Sequence, residues 1–310
     1  EEERLSKTGA QFGSTKRGIA YSYGDKYMKK TIRMGDLLHF AEIEAKLPGI
    51  IEWKNLTIVG GYNAQPVKTE DMLEWLKTYG LPFADYVCDT NEFLNNAIAE
   101  GKNVMFEAQL GALRDIDFGI YPYTSSSTTL AAYAPIGSGI PSKKLDNTVG
   151  IMKAYSSCVG EGPFTCELFG EEGKALRDAG GEYGAATGRP RRVGGFDVVA
   201  SRYGIEMQGA DEIALTKLDV LSYLDKIPVC VAYEVNGVRT DKFPTGKALA
   251  DAKPVYIYLD GWKEDISKVR NYADLPTNAQ KYIDFIRDTL GCNIKYVSVG
   301  AARDEYFVMD

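Results

Sequence analysis

From residue 148 onward, short apolar runs alternate with stretches of helical periodicity that stop at glycine, and no other property of the chain restricts its fold as strongly. Residues 148–156, 212–218, 228–234, 254–259 and 294–299 have the length and apolar content of buried strands. Residues 171–179 and 278–290 have helical periodicity and are closed by Gly180-Gly181 and by Gly291, glycine being the residue that most easily turns left-handed at a helix end. Strands separated in this way predict an α/β protein whose central sheet is largely parallel and flanked by helices. Upstream, the pattern predicts helices over 34–47, 69–79 and 91–100, and strands over 56–59 and 103–107. Thr69 is placed to cap the second of these helices and Gly80 to stop it. No repeat, low-complexity linker or shift in composition divides the chain, so residues 1–310 are read as one domain.

The 36 Lys and Arg residues against 43 Asp and Glu leave a net charge of −7. That sign disfavours nucleic acid or an anionic membrane as a partner through bulk attraction, while a local basic pocket remains open. No apolar run approaches the roughly 18 residues of a membrane-spanning helix. Cys88, Cys158, Cys166, Cys230 and Cys292 are scattered without C-x-x-C spacing. Their odd number and the size of the chain point to reduced thiols and a cytoplasmic protein.

The densest chemical signal is Glu182-Tyr183-Gly184-Ala185-Ala186-Thr187-Gly188-Arg189-Pro190-Arg191-Arg192. Gly184 and Gly188 let the backbone approach a ligand closely. Thr187 offers a hydroxyl and an N–H. Three arginines within four positions present planar donor forks suited to carboxylate and phosphate, and Pro190 stiffens the loop between them. A solvated basic turn is the plain alternative, and the following Gly194-Gly195-Phe196-Asp197 weighs against it. The string resembles the aspartate-binding loop of adenylosuccinate synthetases, Gly-Ala-Thr-Thr-Gly-Arg-Pro-Arg-Arg, with Ala186 standing where that family usually has threonine.

Other segments carry the same resemblance. Lys153-Ala154-Tyr155 followed by Val159-Gly160-Glu161-Gly162-Pro163-Phe164 matches the family's Val-Gly-Glu-Gly-Pro-Phe stretch. Asp115-Ile116-Asp117-Phe118-Gly119-Ile120-Tyr121-Pro122 matches its Asp-Ile-Asp-x-Gly-Thr-Tyr-Pro segment and leads into the hydroxyl-rich run Thr124-Ser125-Ser126-Ser127-Thr128-Thr129. Gly13-Ser14-Thr15-Lys16-Arg17-Gly18-Ile19 is similar to a family loop that donates to the IMP phosphate, with Thr15 on the phosphate-binding threonine. Lys29 falls where the family has an arginine that reaches the partner subunit's IMP; lysine keeps the charge and loses the fork. The family's Glu-Gly-Ala-Gln-Gly appears as Glu107-Ala108-Gln109-Leu110-Gly111, which puts Leu110 on the IMP-contacting glutamine and Gln109 one position early. Gln109 is retained as the candidate because an amide can serve a purine edge.

Leu215-Thr216-Lys217-Leu218-Asp219 ends an apolar strand. GTP-binding proteins use Asn/Thr-Lys-x-Asp at such a strand end: the carboxylate accepts from guanine N1–H and the exocyclic amine, a donor pair adenine lacks. Ser298-Val299-Gly300 resembles the family's Ser-Val-Gly, whose backbone meets the guanine, and is followed by Ala301-Ala302-Arg303 instead of Pro-Asp-Arg.

The resemblance implies a P-loop-NTPase-like α/β fold, a Mg²⁺-dependent ligase with GTP as co-substrate, the substrates IMP and L-aspartate, and a homodimer. It assigns Thr15, Lys29, Gln109, Thr124, Ser125 and Arg189 to IMP, with Gln109 also contacting the transition state. It assigns Ala185, Ala186, Thr187, Gly188, Arg189 and Arg191 to aspartate, and Arg191, Lys217, Leu218, Asp219, Ser298, Val299 and Gly300 to GTP. The family's phosphate loop, Gly-Asp-Glu-Gly-Lys-Gly-Lys, its general-base aspartate and its general-acid histidine would lie upstream of Glu1. The chain as given is therefore expected to lack the catalytic residues and the Mg²⁺ ligands, and to be inactive alone. The single histidine, His39, lies within a helical pattern and is read as a structural or surface residue. A related ligase acting on another purine nucleotide, or a guanine-nucleotide-binding module without catalysis, are the alternatives.

Overall fold

The computed structural model describes residues 1–184 and 188–309. Where the sequence reading treats 1–310 as one domain, the fold groups into two compact units: Glu1–Glu107 with Pro135–Lys143, and Ala108–Ala134 with Lys144–Asp310.

The first unit is helical among its described residues: α1 (Glu2–Ser6), α2 (Ile19–Met28), α3 (Phe40–Asn55), α4 (Thr69–Trp75) and α5 (Thr90–Ala99), with most of α6 (Tyr133–Ser138) on the returning segment. Its best-buried side chains include Ile43, Leu47 and Ile51, whose spacing of four puts them on one face of α3. Asp89 starts α5 by accepting from Asn91 N at 2.9 Å and Glu92 N at 3.2 Å. Two expectations fail here. Residues 56–59 do not form a strand; the chain leaves α3 straight into a π-helical turn, Leu56–Gly61. Residues 103–107 are neither a strand nor buried, and Met105 is 88% exposed. Both runs are apolar enough for a strand, but a strand is stable only with a partner that pairs its backbone groups.

The second unit holds the sheets. β1 (Val149–Lys153), β5 (Glu212–Thr216), β9 (Asn293–Ser298) and β10 (Tyr306–Val308) form one sheet in the order β1-β5-β9-β10. β1, β5 and β9 are parallel and β10 runs antiparallel to β9. β4 (Phe196–Asp197) pairs parallel with β6 (Lys226–Val235), which also pairs antiparallel with β7 (Val238–Thr240) and β8 (Lys253–Asp260). β2 (Ser156–Cys158) and β3 (Arg192–Gly194) make a separate antiparallel pair. The expected largely parallel sheet is thus corrected to mixed sheets flanked by helices: the parallel order holds where helices cross between strands, and the short β6–β7 and β9–β10 connections force antiparallel pairing. The unit's helices are α7 (Gly170–Gly180), α8 (Val198–Gln208), α9 (Gly246–Ala250) and α10 (Thr277–Leu290). Ala279, Tyr282, Ile283, Ile286 and Leu290 form the apolar stripe of α10 and join Ile213, Leu215, Ile294 and Val297 of β5 and β9 in the main core.

Asp115 shows how a buried acid shapes a loop. It has no exposed surface. Its Oδ1 accepts from Asp117 N and Phe118 N, each at 3.0 Å, and its Oδ2 from Thr129 N at 2.7 Å. The last bond ties the end of the hydroxyl-rich run 124–129 to the segment before it. A Cβ on Gly119 would lie 2.3 Å from the Asp115 carbonyl, so only glycine lets this loop close. Asp115→Ala leaves three N–H groups without their acceptor and is expected to cost on the order of 3 kcal/mol in urea unfolding, whereas Asp117→Ala, at the exposed second acid of the same motif, is expected to change little.

Candidate active site

Three parallel strands of the second unit end side by side, and the charged groups follow them. β1 ends at Lys153 and leads into Ala154-Tyr155; β5 ends at Thr216 and leads into Lys217-Leu218-Asp219; β9 ends at Ser298 and leads into Val299-Gly300. Register sets Lys153 opposite Thr216, and Leu215 opposite Val297. Leu218 N donates to Ser298 O at 3.3 Å, tying two of these loops together. The carboxyl ends of parallel strands are where open α/β sheets bind ligands.

At this edge lies Glu182, which is fully buried. Its Oε1 accepts from Lys153 Nζ at 2.6 Å and from the Tyr155 hydroxyl at 2.5 Å, and its Oε2 accepts from Arg191 Nη1 at 2.9 Å. Lys217 Nζ stands 3.9 Å from Oε1 and donates to Gly180 O at 2.6 Å, at the negative end of α7. Burial by itself would raise the Glu182 carboxyl. The hydrogen bonds from Lys153 and Tyr155, together with the Lys153 charge and the Arg191 hydrogen bond, outweigh it and hold the group below its ordinary value. Burial depresses the Lys153 ammonium against the opposing pull of Glu182, and burial followed by the Glu182 hydrogen bond pushes the Tyr155 hydroxyl up. One carboxylate faces three cations, so the cluster remains positive and suits an anion.

The loop bearing the arginines starts from a paired stem. Arg191 N donates to Glu182 O at 2.9 Å, Tyr183 bridges Pro190, and Gly184 N donates to Arg189 O at 2.9 Å. Gly188 takes a left-handed φ of 64°, and its N donates to Gly184 O at 2.7 Å. Ala185, Ala186 and Thr187 lie outside the described residues. The three arginines have separate surroundings. Arg189 is half-exposed, 3.4 Å from Glu161 Oε1. Arg191 turns to Glu182, and its buried Nε has no hydrogen-bond partner among the described residues. Arg192 forks onto Glu167, with Nε at 2.9 Å from both oxygens and Nη2 at 2.5 Å, and its Nη1 reaches Gly162 O at 2.8 Å. Arg192 therefore holds the 159–164 loop. Arg114 holds the same loop through Val159 O at 2.8 Å.

Asp219 opens a 3₁₀ turn, Asp219–Tyr223. Its Oδ1 is buried and has no hydrogen-bond partner among the described residues. Burial pushes this carboxyl above its ordinary value, with Lys217 pulling down and Glu305 pushing up. Lys217 holds a left-handed φ of 59°, a conformation costing a non-glycine residue about 1 kcal/mol. The side chains of Leu218 and Val299 are fully buried in the core, and their N–H groups donate to Ser298 O at 3.3 Å and to Glu305 O at 2.9 Å. Ser298 Oγ donates to Gly300 O at 2.9 Å.

The structure thus brings Arg191, Lys217, Asp219 and Ser298 to Gly300 to one strand edge. Of the residues matched to IMP, Ser125 is anchored through its N to Arg114 O at 2.8 Å and shares a 3.1 Å hydroxyl contact with Ser127; Thr124 beside it is half-buried. Gln109 is exposed, and Leu110 next to it takes a φ of 78°. In the first unit, Thr15 is exposed beside Gly13 and Ser14, whose N–H groups donate to the Glu2 carboxylate at 2.8 and 2.9 Å. Lys29 is exposed at the left-handed end of α2, and His39 is exposed. Glu182, Lys153 and Tyr155 join the charged cluster without a motif that marks them in the sequence; an acid beside a run of arginines is the one available signal.

The chain is similar to known proteins over nearly its whole length. The sequence model of the adenylosuccinate synthetase family matches residues 1–307. Adenylosuccinate synthetase of Bifidobacterium animalis subsp. lactis is 44% identical over 295 residues, covering 95% of this chain and 69% of that protein. The Lacticaseibacillus paracasei protein of the same name is 41% identical over 309 residues, covering 99% and 72%. A solved structure of fully ligated adenylosuccinate synthetase from Plasmodium falciparum superposes with a TM-score of 0.93 at 36% identity, covering 100% of this chain and 73% of that one.

Arg192→Lys keeps the charge and loses the fork on Glu167. It is expected to lower stability by roughly 1–3 kcal/mol, with amide exchange in the 159–164 loop rising more than in β5 or β9.

Proposed function

The chain belongs to the adenylosuccinate synthetase family of ligases, and from this we propose that it serves the GTP-dependent ligation of L-aspartate to IMP, giving adenylosuccinate, GDP and phosphate. The γ-phosphoryl group of GTP passes to the IMP 6-oxygen, and the aspartate amine then displaces phosphate from the 6-phosphoryl-IMP so formed. The observation that carries the reading is Asp219: a half-buried carboxylate at the end of a parallel strand, with one oxygen buried and unmatched by any described residue. Guanine N1–H and the exocyclic amine supply the two donors such a carboxylate needs.

In this reading the Lys217 stem lies over the base, and the Ser298 to Gly300 backbone meets its other edge, with Leu218 contributing backbone only. Arg191 faces both GTP and aspartate. Arg189 binds the aspartate carboxylates and IMP, and Ala185, Ala186, Thr187 and Gly188 complete the aspartate loop. Thr15, Lys29, Gln109, Thr124 and Ser125 are assigned to IMP by residue match, Lys29 across a homodimer. The cationic wall of Lys153, Arg191 and Lys217 offsets charge on the transferring phosphoryl group, where positioning and electrostatics supply most of the catalysis.

The family uses Mg²⁺ with GTP. Among the described residues, no group of three or more His, Cys, Asp or Glu side chains comes together that could hold a metal ion. When bound, the ion would neutralise phosphate charge.

Asp219→Asn tests the guanine assignment by equilibrium binding, without turnover. The asparagine amide clashes with the guanine donors and matches the xanthine oxygen, so GTP affinity is expected to fall at least about a hundredfold while xanthosine triphosphate gains. An unchanged base preference would sink the assignment. Protons compete with the base as well. Because burial raises this carboxyl in the free protein and guanine needs it ionised, GTP affinity should fall as pH drops through a pKa above the ordinary carboxylate value. Asp219→Asn should abolish that acid-side loss.

A further inference from the structure

We propose that Glu182 is a positioning residue that orients Arg191 and Lys217 together, so that the aspartate loop and the guanine strand end share one buried anchor. The inference rests on the assignment of those two cations to GTP and aspartate made above. Long cationic side chains spread over many rotamers in water, and ordering one costs up to about 2 kcal/mol. A site that must present two of them needs something that orders them before the ligand arrives.

Arg191 is held at three points. Its N donates to Glu182 O at 2.9 Å, its carbonyl accepts from Arg177 Nε at 2.7 Å, and its Nη1 donates to Glu182 Oε2 at 2.9 Å. Lys217 leaves β5 in a left-handed conformation that aims its stem back toward α7, where Nζ meets Gly180 O at 2.6 Å and comes within 3.9 Å of Glu182. Glu182 is the carboxylate common to both. Its Oε1 is itself fixed by Lys153 and by the neutral Tyr155 hydroxyl. The end of α7 is shaped around that hydroxyl, since a Cβ on Gly180 would lie 2.3 Å from it.

Positioning and simple electrostatics predict opposite results. A carboxylate among cations weakens the wall's attraction for an anion, so a Glu182 that merely sat there would leave GTP binding tighter once its charge was removed. A Glu182 that aims the cations would leave binding weaker despite the added positive charge.

The experiment measures GTP and aspartate affinity by calorimetry on the full chain, for wild type, Glu182→Gln, Glu182→Asp and Tyr155→Phe. Glu182→Gln is expected to weaken both ligands by about tenfold or more, the loss of charge-assisted hydrogen bonds. Glu182→Asp should restore part of this. The upper pH limit of GTP binding should also move down in Glu182→Gln, because Lys153, already depressed by burial, loses the carboxylate that favours its charged form; Tyr155, Arg191 and Lys217 are its other neighbours. Affinities equal to wild type, or tighter GTP binding, would overturn the proposal. If Glu182→Gln does not fold, Tyr155→Phe decides: it keeps every charge, is expected to weaken both ligands several-fold, and unchanged affinities there would overturn the anchor. A wild type that does not prefer GTP to ATP would sink the guanine reading and the anchor with it. A guanine-selective wild type with unaltered Glu182→Gln affinities would sink the anchor alone.

Discussion

A carboxylate without exposed surface must be matched by donors drawn from its surroundings, and Glu182 is matched by Lys153 and Tyr155 at the end of β1 and by Arg191 on the arginine loop, with the Lys217 charge beyond the end of β5 standing 3.9 Å away. Leaving all of them out would strand a buried charge, which costs several kcal/mol. That penalty fixes the distances between these elements more tightly than apolar packing could, since packing is indifferent to small slides while a 2.6 Å hydrogen bond is not. The strand edge and the stem of the arginine loop meet at this one group.

Other buried acids serve the same purpose on a smaller scale. Asp115 closes the loop that carries the hydroxyl run. Asp197 caps α8 through Ala200 N at 3.0 Å and accepts from the Tyr233 hydroxyl at 2.6 Å; burial raises its carboxyl. The half-buried Glu167 anchors Arg192 and through it the 159–164 loop. Asp219 differs from these. Its oxygen Oδ1 has no partner among the described residues although it is buried.

Sequence reading went furthest where local and tertiary preferences agree. α7, α10, β5, β8 and β9 lie within a residue or two of the predicted spans, because amphipathic stripes and glycine stops are local signals. α8 was not foreseen: Val198 and Val199 look like a strand, and it is the Asp197 cap and burial of that end that make it helical. The failures at 56–59 and 103–107 have the converse cause, since a strand's stability comes from a partner that the sequence around it does not name.

By itself, then, the sequence determined part of the inventory: the spans of α7, α10, β5, β8 and β9 in the second unit, the dense run of arginines and the Thr-Lys-x-Asp string, and which family they resemble. Only the tertiary structure decided how those groups are employed. It gave Arg192 to a loop-holding fork, turned Arg191 and Lys217 to a common carboxylate, and left an oxygen of Asp219 buried and unmatched by any described residue. The reason is physical. Periodicity and motif are properties of neighbours along the chain, whereas the worth of a charge depends on burial and on partners contributed by residues far along it, 35 positions apart for Lys217 and Glu182.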